Sequence, residues 1–342
     1  MILKKVTRGE LHEWVDEVIA ARRTYGVQSK SDQFAFAPLK RASDLRLDYD
    51  VTILPPKTFF QPQWEDLITY RGDEGYQSVI EAEPFVLLGV HPYDLVAVSQ
   101  MDEIFSQSKP DIRYLSRRES ATLVAVDVQS PSRHTFAGYM GTSSVDRGYD
   151  ILLTRMGDEY LVDIATERGR EIMGRLERLR DAAESWLDQR MMVWEHNQGA
   201  LRAHQLRADP STWPDLLEKS YDHPVWEEKA RLCFSCGSCT LVCPTCYCFD
   251  IREDVGWDLE TRRRYRVWDG CMLQDFARVA GGLNFRKDAA ARYRHRYYRK
   301  GKYVPEKLDG QIACVGCGRC IQACVANIAD PVEVFNRLAE GA

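Results

Sequence analysis

The first 232 residues of this 342-residue chain contain no cysteine. Thiolate metal chemistry, disulfides and a cysteine nucleophile are thereby excluded from most of the molecule. Histidine is scarce as well, at seven residues, and no Ser/His/Asp grouping stands out. Long hydrophobic runs are missing: the most apolar stretch, Phe85 to Val90 (FVLLGV), is far short of the ~20 residues that a helix needs to cross a bilayer. The opening MILKKVTRGELHEW has no apolar core followed by a small-residue cleavage site, so it does not read as a secretory signal. No G-x-G-x-x-G follows a strand-like segment and no P-loop lysine is present, which leaves no dinucleotide or nucleotide fingerprint. The chain shows no site for bond-making chemistry of its own.

What it has is cysteine at one end. All eleven cysteines lie between positions 233 and 324, and eight form two combs of identical C-x2-C-x2-C-x3-C spacing. The first is Cys233, Cys236, Cys239, Cys243, followed by Pro244; the second is Cys314, Cys317, Cys320, Cys324, with Val325 in place of the proline. This spacing wraps thiolates around a [4Fe-4S] cubane, and in two-cluster ferredoxins the last cysteine of each comb ligates the other comb's cluster. Two [4Fe-4S] clusters are therefore expected, one on Cys233, Cys236, Cys239 and Cys324, the other on Cys314, Cys317, Cys320 and Cys243. Zinc ribbons separate ligand pairs by a longer spacer and fit less well. Gly237, Gly316 and Gly318 would free the loops to aim backbone N–H groups at sulfur. Metal-type spacing without an export signal argues for reduced thiolates and a cytoplasmic location. The 70-residue insertion from Pro244 to Ala313 is too long for a compact ferredoxin and resembles the α-helical ferredoxin arrangement of respiratory iron–sulfur subunits.

Three cysteines stand outside the combs: Cys246 and Cys248 in CPTCYC, and Cys271 in WDGCM. Either they pack as small apolar groups, or they form a third metal site with one more ligand, such as Asp269 or an external thiolate. The charge of −5 is uneven, because residues 261–307 carry 14 Lys/Arg against 4 Asp/Glu. With Tyr293, Tyr297 and Tyr298 interleaved, the block has a nucleic-acid-like footprint. Its position between cluster ligands favours compensation of anionic clusters together with subunit contact, and weighs against nucleic acid. His295 reads as a surface or hydrogen-bonding group.

The pattern along the chain predicts an α+β protein: a mixed α/β domain over 1–200 acting as a docking scaffold, a linker over 201–230 interrupted by Pro210, Pro214 and Pro224, and an α-helical dicluster domain over 231–342. Thr7 and Glu10 form a capping box before an amphipathic helix with Leu11, Trp14, Val15, Val18 and Ile19 on one face. Phe85–Val90 and 121–128 read as buried strands, with a helix beginning near Asp94. Residues 149–164 read as a hairpin around Gly157-Asp158. A charged helix is expected over 166–186.

The segments CGSCTLVCPTCYCFDI, WDGCMLQDFARVAGGLNFRKD, RYRHRYYRK and CVGCGRCIQAC resemble the iron–sulfur (beta) subunit of cytoplasmic NiFe hydrogenases and sulfhydrogenases. The dicluster protein of anaerobic sulfite reductase belongs to the same family. LLGVHPYDLVAV, MGTSSVDRGYDILLT and DEYLVDIATERG extend the likeness into the N-terminal half. The resemblance implies a non-catalytic electron-transfer subunit placed between a flavin-containing NAD(P)H-oxidoreductase subunit and a catalytic partner. That partner would be the small and large subunits of a NiFe hydrogenase, or a sulfite reductase subunit; relatives also serve sulfur and heterodisulfide reduction. Family members often carry cysteines after the proline of a GV-x-P segment and before the MGT segment. Here Tyr93 follows Pro92 and residues 130–139 hold none, so an N-terminal metal site is expected to be absent.

Overall fold

The structure is a computed structural model that describes residues 2–341. Its strands, in chain order, are β1 (Ile2–Thr7), β2 (Thr24–Lys30), β3 (Gln33–Pro38), β4 (Trp64–Arg71), β5 (Gly75–Ser78), β6 (Phe85–Val90), β7 (Ala121–Val126), β8 (Ile151–Met156), β9 (Glu159–Ile164), β10 (Phe249–Val255) and β11 (Thr261–Trp268). Seven of them form a mixed sheet of order β1-β9-β8-β7-β6-β2-β3. Its central strands β8, β7, β6 and β2 run parallel, and β1, β9 and β3 pair antiparallel at the margins.

The alternation of side chains along a strand builds two cores from one sheet. Val86 and Leu88 of β6, with Val124 and Val126 of β7, join a cluster around Trp14, Val15 and Val18. Phe85, Leu87 and Val90, with Leu123 and Ala125, face a second cluster around Leu95, Val98 and Met101. That is why FVLLGV carries no polar residue: both of its faces are covered. The capping box closes at Thr7, where the Thr7 backbone N–H donates to the Glu10 carboxylate at 2.7 Å, and the helix Arg8–Ala21 buries Leu11, Trp14, Val15 and Val18. The helix Pro92–Ser106 follows β6 directly, started by its proline in the first turn.

Three expectations fail, one of them the α-helical character of 231–342, because β10 and β11 form a hairpin within it. The helix expected over 166–186 is broken: a short α-helix Glu167–Glu171 gives way to a 3₁₀ helix Gly174–Arg178 that begins at Gly174 (φ +50°), and the next α-helix is Ser185–Ala200. Between them the backbone runs beside β1, where Lys5 N–H donates to the Arg180 carbonyl at 2.9 Å and Ala182 N–H to the Leu3 carbonyl at 3.0 Å. Ladder bonds to a sheet edge outcompete the helix there. The segment 201–230, expected as a linker, instead carries the helices Trp213–Lys219 and Val225–Arg231. Their Pro214 and Pro224 lie at helix starts, where a missing N–H costs nothing, so the prolines begin helices rather than interrupt them. Trp213, Leu217, Val225 and Trp226 are buried against Tyr293, Tyr297 and Phe335, with the Trp213 and Phe335 rings stacked 3.6 Å apart.

The second sheet, of order β10-β11-β4-β5, joins the two halves of the chain because β11 pairs antiparallel with β4. Arg266 of β11 is buried and bonded to Glu65 of β4 and to Asp111, and Glu65 also accepts from Arg117 at 2.7 Å. The cysteine-bearing part is thereby fastened to the N-terminal part by a strand pair and a buried ion network.

Candidate metal centres

Both combs are built alike. Gly237 and Gly318 adopt left-handed backbone (φ +76° and +78°), and each opens a one-turn helix, Ser238–Leu241 and Arg319–Gln322, whose second residue is the third cysteine of its comb. A Cβ on Gly318 would lie 2.5 Å from the His134 carbonyl oxygen, and one on Gly316 would lie 2.6 Å from the Ala137 backbone. The N-terminal segment 134–137 therefore seats directly on the second comb, held by Phe136 N–H to the Gly316 carbonyl at 2.8 Å. Each comb also has a backbone donor on sulfur: Ser235 N–H donates to Cys233 Sγ of the first comb at 3.4 Å, and Ile328 N–H donates to Cys324 Sγ of the second at the same distance.

The thiols surround two cavities, and the sets cross between combs. Cys233, Cys236, Cys239 and Cys324 line one, of about 30 Å³, beside Gly237 and Met272. Cys243 joins Cys314, Cys317 and Cys320 around the other, of about 20 Å³, beside Phe136 and Pro244. All eight comb cysteines line one or the other of these two cavities, four to each.

The electrostatics fit an anionic guest. Arg292 and Arg296 of the helix Ala289–Tyr298, and Lys300 just beyond it, are buried four residues apart on one helical face. Arg296 lines the Cys243/Cys314/Cys317/Cys320 cavity, and its Nε and Nη2 atoms have no hydrogen-bond partner. A buried guanidinium with no carboxylate beside it costs several kcal/mol unless negative charge arrives. Lys300 donates to Thr245 Oγ1 at 2.8 Å and to the Ala313 carbonyl at 3.0 Å. Burial works against its ammonium, yet the sulfurs of Cys243 and Cys246 hold its pKa above the ordinary lysine value. Burial pushes the thiols of Cys239, Cys317 and Cys320 up to about 12 and Cys314 up to about 11. Metal-free, these groups stay protonated at neutral pH, and iron binding must release their protons. Cys243 is held well below its usual value by a hydrogen bond from Cys246, against burial and with help from Lys300.

Part of the basic block is already paired with carboxylates, Arg266 with Glu65 and Asp111 among them. Arg263 and Arg264 lie opposite Asp254 and Glu253 across the β10–β11 hairpin, with Arg263 bonded to Asp254 at 2.7 Å. His295 is partly buried, and burial together with nearby Arg286 lowers its pKa to about 4. Tyr93, which follows Pro92, is buried with its hydroxyl 2.6 Å from His91 Nδ1.

Sequence reasoning missed Arg319. It makes a fully buried bidentate pair with Asp94 at 2.6 and 2.7 Å and donates to the Thr52 carbonyl at 2.9 Å, tying the residue beside Cys320 to the helix after β6. A lone arginine inside a comb, next to two glycines of special backbone, was the available signal.

Among the described residues no helix is long and apolar enough to cross a membrane. The family model for the 4Fe-4S dicluster domain matches residues 232–328, which span every comb cysteine. Over 329 residues the chain is 31% identical to sulfhydrogenase 2 subunit beta of Pyrococcus furiosus, covering 96% of each chain. No solved structure matches. With both thiol sets inside the matched domain and the likeness running nearly end to end, the chain belongs to the sulfhydrogenase beta-subunit family of iron–sulfur proteins.

Proposed function

We propose that this chain is the non-catalytic electron-transfer subunit of a cytoplasmic NiFe-hydrogenase-type complex. Its partners are a flavin-containing NAD(P)H-oxidoreductase subunit and the small and large hydrogenase subunits. Cys233, Cys236, Cys239 and Cys324 hold one [4Fe-4S] cluster; Cys314, Cys317, Cys320 and Cys243 hold the second. Bound clusters supply one-electron chemistry, which a chain without flavin or nucleotide fingerprints otherwise lacks.

The observation that carries this reading is the pair of four-thiol cavities, with Arg296 buried at the second and lacking partners for two of its nitrogens. The chain's own residues then have distinct tasks. Arg296 and Lys300 offset cluster charge, which favours the reduced state. The segment 134–137 and the Arg319–Asp94 pair keep water from the second site and fix its loop. The first site lies near the surface, where Cys236 is exposed within a rim of exposed Leu232, Phe234 and Val325, a face suited to a docking partner. The name of the Pyrococcus relative supports the hydrogenase setting.

The test is Cys236→Ser and Cys317→Ser in the assembled complex. NAD(P)-linked turnover is expected to be lost while hydrogen oxidation by an artificial dye continues. Unimpaired NAD(P)-linked turnover in a variant shown to lack a cluster refutes the relay. A co-purifying nickel subunit is expected; a siroheme subunit in its place assigns the chain to sulfite reduction instead.

A further inference from the structure

The three cysteines outside the combs are gathered by a device of their own. Cys246 and Cys248 leave the first comb just before β10, and the chain returns along β11 with Phe249 opposite Trp268. That register sets Cys248 against Asp269, whose N–H donates to the Cys248 carbonyl at 3.3 Å, and Cys271 follows two residues later. The base of the hairpin thus carries a thiol from 23 residues downstream to the CPTCYC turn. Cys246, Cys248 and Cys271 line a single cavity of about 30 Å³, the size of the cavity formed by the first comb.

The surroundings of that cavity are cationic. Arg296, Arg299 and Lys300 line it, and no carboxylate does. Arg296 is 2% exposed with Nε and Nη2 unpartnered. Lys57, reaching in from the N-terminal half, is 4% exposed and donates only to main-chain carbonyls, those of Cys246 at 2.8 Å and Leu241 at 3.4 Å. Its ammonium lies 3.9 Å from the Trp268 ring centre. Thiols that merely fill space need no such company, and burying uncompensated cations among them is costly. Three thiols ringed by lysine and arginine, without a carboxylate, make a receptor for an anionic group that binds sulfur. Among the described residues no three Cys, His, Asp or Glu side chains gather as a single ion requires; these thiols surround a space instead.

We propose that Cys246, Cys248 and Cys271 bind a third iron–sulfur cluster, a cubane held by three thiolates with its fourth iron left to a non-thiol ligand. Asp269 does not line the cavity and is not assigned that place. Arg296 and Lys300 form a wall common to this cavity and the one holding Cys243, so the third cluster lies beside the second. The inference adds to the dicluster reading.

Iron and acid-labile sulfide, measured on the full-length chain purified without oxygen, decide it. About twelve irons per chain are expected, against about eight for two cubanes alone. Cys271→Ala is expected to remove about four irons and one EPR component while the components of both comb clusters persist. About eight irons in the unmodified chain, with or without a bound zinc, overturns the third cluster and leaves the two-cluster reading intact. A chain without iron or sulfide overturns both. The count on the unmodified protein stands even if a cysteine variant fails to fold.

Discussion

Arg296 offers the sharpest perturbation, because its effect should change sign with the cofactor. In the chain without iron it is a buried charge lacking a carboxylate, with Nε and Nη2 unpartnered. Arg296→Met keeps much of the volume and removes the charge, so the iron-free protein should gain on the order of 1–4 kcal/mol of stability. In the loaded protein the same change deletes a cation from the cavity wall. Taking about 6 Å to the centre of the cluster charge and an effective dielectric of about 20, the interaction is roughly 3 kcal/mol. For a one-electron couple that corresponds to about 120 mV, and screening by the remaining cations reduces it to several tens of mV at least. The sign follows from the charge: without the cation the reduced, more negative cluster is disfavoured, so the potential falls. Anaerobic titration followed by EPR reads the shift, and urea unfolding of the iron-free protein reads the stability. Arg296→Lys should shift the potential far less than Arg296→Met. Unchanged potentials in an Arg296→Met protein with full iron content would refute the assignment of this guanidinium to cluster charge.

The crossing of the thiol sets is checked by removing each comb's last cysteine: Cys324→Ser should perturb the EPR component that Cys236→Ser also perturbs, and Cys243→Ser the one shared with Cys317→Ser. The reverse pairing would show that each comb closes its own cluster. Gly318→Ala meets the His134 carbonyl at 2.5 Å in addition to left-handed backbone strain, whereas Gly281, also left-handed, has nothing within 4 Å of an added Cβ. Gly281→Ala should therefore cost only ~1–2 kcal/mol, while Gly318→Ala should lower iron content at the second site. Asp127 is buried, accepting from Thr154 Oγ1 at 2.6 Å and Trp194 Nε1 at 3.0 Å, and burial raises its pKa to about 6 from 3.8. The folded chain then binds more protons than the unfolded one between those values. Stability should fall as pH rises through that window, by up to about 3 kcal/mol. Asp127→Asn should flatten that slope in pH-dependent unfolding, and an unchanged slope would place its origin elsewhere.

The elements legible in the sequence are those whose stability is local or whose burial is complete. The capping box at Thr7 and Glu10 needs only neighbours within one helical turn. FVLLGV declares itself because both faces are covered, and the hairpin of β8 and β9 turns at Gly157 with φ +64°. What failed depended on distant partners. Residues 180–182 look helical until β1 offers main-chain bonds, and Pro214 and Pro224 look like breaks until the helices they start are seen packed on Tyr293 and Phe335. The hairpin of β10 and β11 escaped notice for a different reason. Its residues are charged on both strands, and its stability comes from cross-strand pairs such as Arg263 with Asp254 and from β4, about 200 positions earlier.

The site divides along the same line. Comb spacing is a local property of the sequence, the spacing that suits thiolates around an iron cube, and the eight thiols it singles out line two cavities in crossed sets of four. Charge compensation is not local, and the basic block misleads when taken as a whole. Arg263 and Arg264 answer acidic residues across their own hairpin, while Arg292, Arg296 and Lys300 turn inward. A four-residue recurrence of cations on a helix that also carries Tyr293 and Tyr297 puts charge on the aromatic, buried face. Ordinary amphipathic helices do the opposite. Charge on the core side of a helix, flanked in sequence by thiolate combs, therefore marks where an anion must sit. The same reasoning applies to Lys57, a buried lysine in a half of the chain without cysteines, which makes sense only through the Cys246 turn it bonds.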